Sequence, residues 1–203
     1  MKSSVVVLCL LLSGCALTNK SDALDVRWFT PEHVKPQITS ARANENANAK
    51  AMPLELGRVK AGSHLREKIV FRDARWEVGY YEDRRWTERP EEYVRRALGR
   101  TLFEERGFER SISDPNAAVL EIELLAFEEL RAKPVHAARV QMRVIVHDGR
   151  DVLHEETVTV DKPLPENDAS MEAFVAAIAD ALDASAAIVA DRTQAVLRRK
   201  QTQ

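Results

Sequence analysis

The side chains able to do chemistry in this 203-residue chain are plentiful, but their spacing is uninformative. Five histidines, His33, His64, His136, His147 and His154, show no HExxH or other close ligand spacing. Two cysteines, Cys9 and Cys15, both lie near the start. Zinc sites draw on Cys and His in set patterns, so no metal site is expected. No G-x-S-x-G elbow, P-loop or dinucleotide glycine pattern occurs, and seven glycines leave little scope for a phosphate-cradling loop. With 32 acidic residues some carboxylate pair will always lie close, which by itself says nothing about acid–base catalysis. The expectation is a protein without catalytic residues or a cofactor, not an enzyme.

One thiol sits in a setting with a defined chemistry. Lys2 supplies a short positive region, Val5 to Leu12 give an apolar run, and Leu12-Ser13-Gly14-Cys15 closes it. The run is too short to span a bilayer, which takes about 20 apolar residues. A charged start, a brief apolar stretch and small residues make a secretory signal. The ending reads as a bacterial lipoprotein box, cut before a cysteine that then carries a diacylglycerol. A plain signal peptide with a chance cysteine, or a hydrophobic N-terminal strand, is the alternative. On the lipobox reading, residues 1–14 are signal peptide, 15–22 the lipidated N-terminus and short tether, and 23–200 the domain. Ala16 is not the aspartate that holds such proteins in the inner membrane, which points to the periplasmic face of the outer membrane. Cleavage and acylation leave no thiol for a disulfide, so the core alone must hold the domain. Residues 16 to 22, extended at about 3.3–3.6 Å each, reach some 25 Å, so the domain stays near its membrane.

The unusual stretch of the domain is RWEVGYYEDRRWTERPEEY, which interleaves Trp76, Tyr80, Tyr81, Trp86 and Tyr93 with Arg75, Arg84, Arg85 and Arg89. Aromatic residues and arginine dominate interface hot spots. Tyr81, Arg84, Arg85 and Trp86 are the candidate partner-binding residues. A purely structural reading stands beside this: Trp76, Val78 and Tyr80 alternate as the buried face of a strand, and Trp86 seats the next helix. Charged residues make up 31% of the chain with a net charge of −2, so the basic footprint of a nucleic-acid binder is missing.

These residues need elements to hold them. Val26–Phe29, Leu54–Val59, Lys68–Arg72 and Trp76–Tyr81 read as short strands, the last pair joined at Asp73-Ala74-Arg75. Gln37–Pro53 reads as a long polar loop. Pro90 opens a helix with Glu91 and Glu92 at its positive end and Gly107 as its C-cap. Val119–Phe127 and Arg139–His147 alternate apolar and polar residues. Asp148-Gly149 turns the chain into Val152–Val160, and a three-residue loop sets Val146 opposite Val152 and Arg143 opposite Glu155. A last amphipathic helix, about 169–199 with Ser170 as N-cap, carries Met171, Val175, Ile178, Leu182, Ala186, Val189 and Val196 on one stripe. No segment after the signal is expected to cross a membrane. The fold class is α/β, a single sandwich-like domain with a mixed sheet covered by two main helices.

The lipobox, the early strand and residues 54–106 together resemble the ABC-type transport auxiliary lipoproteins, the PqiC-like family. Leu65, Ile69, Val70, Arg72, Trp86 and Pro90 stand where that family has a strand, an I-V-x-R segment, and a tryptophan and proline before a helix. Leu65-Arg66-Glu67-Lys68 departs from the family's Leu-Asp-Arg-Pro-Gln. The resemblance implies an acyl-anchored outer-membrane protein that docks an MCE-domain protein, working with an ABC permease and ATPase to move phospholipids or other hydrophobic molecules. It also implies a homo-oligomer. The alternative is an envelope lipoprotein that scaffolds or activates cell-wall or assembly machinery, for which the tether is short. A third reading, a lipoprotein that itself holds a hydrophobic ligand, requires an apolar cavity.

Overall fold

Alternation along 118–130 decides the middle of the sheet. In a computed structural model, which describes residues 25–33, 52–74, 76–112, 114, 117–131 and 136–202, this stretch is the strand with most neighbours. The elements are β1 (Arg27–Phe29), β2 (Pro53–Ala61), β3 (Lys68–Ala74), β4 (Glu77–Trp86), α1 (Pro90–Arg100), β5 (Glu109–Arg110), β6 (Ala118–Leu130), β7 (Ala137–His147), β8 (Val152–Pro163) and α2 (Met171–Gln201). The lipobox with Cys15, and residues 37–51 of the long polar loop, lie outside the described residues.

The eight strands form one mixed sheet. One edge of β6 pairs with β7 along its length, and β7 pairs with β8. The other edge is shared: β2 runs parallel to its first half, and β3 parallel to residues 128–130. The chain therefore leaves the sheet after β2, loops through 62–67 and rejoins it as β3. β4 is antiparallel to β3, β1 is parallel to the end of β4, and β5 is parallel to the start of β2. The α/β class with a mixed sheet and two main helices is what the structure contains.

Leu120, Ile122, Leu124 and Phe127 of β6 and Val140, Met142, Val144 and Val146 of β7 are buried in the core shared with the helices. Glu121 and Glu123 point to the opposite face, where they meet Arg58 and Lys60 of β2. Arg143–Glu155 and Arg139–Asp161 continue the charged surface across β7 and β8. α2 begins where Ser170 Oγ accepts from the Ala173 amide. By length and composition α2 could cross a membrane, contrary to expectation, yet over half of its apolar stretch is buried and it packs on the sheet. It is a core helix. α1 ends in a wide turn in which the Arg106 amide donates to the Thr101 carbonyl, and Gly107 follows at φ +69°.

The β7–β8 hairpin corrects one register. His147, not Val146, pairs with Val152, so the loop is Asp148–Asp151; a shift beside it sets Val146 opposite His154 and Arg143 opposite Thr157. Arg143 still reaches Glu155 diagonally, at 2.6 Å. Asp148 makes the longer turn possible by accepting from the Arg150 and Asp151 amides. It also pairs with Lys200 at the end of α2, 2.6 Å away. Lys200 first, then the two amides, hold the Asp148 carboxyl well below its usual range. Because the native state keeps this group ionised to lower pH than the unfolded chain does, its stabilisation is present above about pH 4 and fades on acidification. Asp148→Asn should therefore flatten the acid limb of a plot of urea midpoint against pH. An acid limb identical to wild type would show that the Lys200 contact carries no stability.

Candidate docking surface

The four sequence candidates occupy four different environments. Trp86 is fully buried, so it is a core residue and not part of any contact surface. Its indole sits edge-on to Phe127 at 5.3 Å and to Tyr93 at 6.3 Å, and it lies 6.0 Å from Phe174 of α2. It seats α1, as the structural reading holds. Tyr81 is half-buried and donates its hydroxyl to Glu129. Arg84 lies over the Tyr81 ring, 4.3 Å from its centroid.

Arg85 has an architectural task. Lys68 pairs with Arg85 and Val70 with Tyr80, so two steps on β3 oppose five on β4. The three extra residues are a wide bulge. The Arg85 guanidinium fills it, donating to the carbonyl oxygens of Tyr81, Glu82 and Arg84, each at 2.9 Å. Three is odd, and side chains alternate with period two, so the bulge inverts the phase of the strand. Tyr80 and Trp86 therefore face opposite sides despite their even spacing. That corrects the expectation that Trp76, Val78 and Tyr80 form a buried face. They are exposed by 88%, 36% and 39%, and Val78 and Tyr80, paired with Arg72 and Val70, lie on the side away from the helices.

Behind this surface is a buried polar network at the end of β6. Glu129 is 3% exposed and takes the Tyr81 hydroxyl on one oxygen, while His136 Nε2 lies 2.7 Å from the other. Burial, and then the bond to Glu129, push the Tyr81 phenol above its usual range, so it stays protonated as the donor to Glu129. Arg131 grips Asp73 through two 2.7 Å bonds and lies 3.4 Å above the Phe71 ring. Phe71 in turn covers Gly79, its pairing partner; a Cβ there would lie 2.3 Å from the ring. A glycine inside a strand pattern marks such a close approach. On the other face, Glu128 is paired with Arg72 through bonds of 2.7 and 3.0 Å.

One side of this corner is open to solvent. β1 covers only Arg84–Trp86 of β4, and Trp28, paired with Arg85, is 58% exposed. Next to it the 62–67 loop walls a cavity of about 480 Å³ with Ser63, His64 and Arg66. The loop is tied back to β4 by the Trp86 amide, which donates to the Glu67 carbonyl at 2.7 Å. Among the described residues no group of three or more His, Cys, Asp or Glu could hold a metal ion. Neither the loop, the bulge nor the exposure of Trp28 was apparent from the sequence; Gly79 was the one available signal.

The fold is a mixed sheet with an aromatic, arginine-rich corner. The chain belongs to the ABC-type transport auxiliary lipoprotein components, whose family model matches residues 36–190. Among solved structures it is similar to a Xanthomonas campestris protein of the DUF330 family, with 18% identity and a TM-score of 0.68 over 87% of this chain and 100% of that one. It is also similar to a structure described as an uncharacterized protein, with 12% identity and a TM-score of 0.59 over 71% of this chain and 94% of that one. At these identities the likeness shows the fold. No curated protein matches.

Proposed function

We propose that this protein is the outer-membrane lipoprotein of an MCE-type ABC transporter, held at the periplasmic face by an acylated Cys15. It docks the MCE-domain protein, which works with an ABC permease and ATPase, and assists movement of phospholipids or other hydrophobic molecules between the membranes. It acts by binding and not by catalysis, as a homo-oligomer. The observation that carries this reading is the family match over residues 36–190. The test is crosslinking in cells, purification through a C-terminal tag and mass spectrometry. Recovery of an MCE-domain protein with its permease or ATPase supports the reading, and recovery of cell-wall synthases in their place refutes it. Separately, Cys15→Ala should abolish the acyl mass and move the protein out of the membrane fraction. Membrane retention of an unmodified protein would remove the anchor.

A further inference from the structure

We infer that the corner formed by the 62–67 loop, β1 and the exposed half of β4 rests on an anionic lipid surface, with phosphate headgroups taken into the cavity beside Tyr80. The inference rests on the reading of Cys15 as the acyl anchor, and it assigns the face that the anchored domain turns to its membrane.

The composition of the corner carries it. Arg66, Lys68, Arg85 and His64 line the cavity together with Ser63 and Tyr80. Two carboxylates lie among them: Glu67, also in the lining, takes Arg89 at 3.4 Å, and Glu82 takes Lys68 at 2.8 Å. Arg66 donates to the Ser63 carbonyl, and Arg85 is spent on the carbonyls of the bulge. The lining thus holds three fixed cations, Arg66, Lys68 and Arg85, against one carboxylate, Glu67, and even with Glu82 and Arg89 counted beside it the cations are in excess, so the local field favours an anion. Gly62 helps to set this shape, since a Cβ there would lie 2.9 Å from the His64 ring.

The cavity opens onto apolar side chains of the type that settle at a bilayer interface. Lys68, Arg85 and Tyr80 share the sheet face away from the helices, because Lys68 pairs with Arg85 and Val70 with Tyr80. Trp28 pairs with Arg85 and lies beside them, and Val78 continues the row from Tyr80 towards Trp76. Trp28 and Trp76 are 58% and 88% exposed. Tryptophan and tyrosine favour the headgroup level because one end is apolar and the other polar, and nearby cations add attraction to anionic lipids.

The chain length agrees. Eleven residues, Ala16 to Val26, separate Cys15 from β1, about 36–40 Å at full extension. They lead directly into β1, the strand that carries Trp28. The corner is therefore the part of the domain tied closest to the acyl chains.

The test uses the full-length acylated protein in vesicles of phosphatidylcholine and phosphatidylglycerol with brominated acyl chains, reading tryptophan emission. Trp28→Phe and Trp76→Phe each leave one exposed indole, while buried Trp86 serves as an internal reference. Emission of both exposed indoles should fall by about a third or more, as expected of side chains at the acyl boundary. The double variant should show no such fall. Arg66→Gln with Lys68→Gln, or about 0.5 M salt, which shortens the screening length to about 4 Å, should at least halve the effect. Absence of quenching in a protein that carries the acyl mass and floats with the vesicles overturns the inference and leaves the anchor intact. Equal quenching on purely zwitterionic vesicles, insensitive to Arg66→Gln with Lys68→Gln, also overturns it. A protein that lacks the acyl mass and does not float refutes the anchor reading itself.

Discussion

Trp86→Ala should cost about 3–5 kcal/mol of unfolding free energy, the range for removing a large aromatic from a closed core. The indole is fully buried and touches three aromatic side chains from three elements: Tyr93 of α1, Phe127 of β6 and Phe174 of α2. No single one of them can move in to fill the space without leaving the others. Small domains have only about 5–15 kcal/mol in total, so the variant should be close to its unfolding midpoint under mild conditions. Trp86→Phe should lose much less. It keeps an edge for Phe127 and removes the indole Nε1, a buried donor without a hydrogen-bond partner; an unsatisfied group of that kind costs about 1–3 kcal/mol. Urea titrations of the three proteins check this. Equal losses in the two variants would mean that the site cannot use the smaller ring and that indole volume alone holds it.

That two tryptophans ten residues apart end in such different places marks the limit of what the chain discloses before folding. Alternation in β6 and β7 was legible because both strands bury one face against long helices, and each apolar position has a polar neighbour. α2 was legible for the same reason, with Ser170 supplying its start. β4 was not, because its phase depends on a three-residue bulge that Arg85 ties together through its guanidinium. An arginine among aromatic residues reads as a surface group; here its guanidinium donates to three backbone carbonyls of the bulge. Arg84 and Tyr81 are held in a stack and Trp86 is core, so the sequence pattern does not disclose which of these side chains are exposed. The exposed Trp28 and Tyr80 come from two strands that the parallel β1–β4 pairing brings together, with exposed Trp76 just before the second of them. The hairpin register failed for a similar reason: Asp148 bonds two amides of its own loop and stabilises a longer turn than Asp-Gly alone suggests.

Glu128 and Glu129 were the least legible pair, since two adjacent glutamates in a strand normally mean solvent on at least one side. Both are buried, and each is satisfied on its own face of the sheet. Glu129→Ala should cost about 3–5 kcal/mol, as when one partner of a buried pair is deleted, because it strands the Tyr81 hydroxyl and His136 together. Glu129→Gln retains the shape and one acceptor and should lose only about 1–3 kcal/mol. The more telling readout is local. Tyr81 packs edge-on to Phe71 at 5.1 Å, Arg131 stacks on Phe71 and also reaches the Tyr81 hydroxyl, and Phe71 covers Gly79. Glu129 thus fixes, through Tyr81, the β3–β4 hairpin that holds Val78 and Tyr80. Hydrogen exchange in Glu129→Ala should quicken most at the β3 and β4 amides and least in α2, whose contacts with the sheet are made largely through β7 and β8. Uniform quickening would mean that the network supports the whole domain. Quickening confined to the hairpin would mean that a charge buried in the middle strand sets the stiffness of the exposed corner, and with it how well that corner can hold a flat surface.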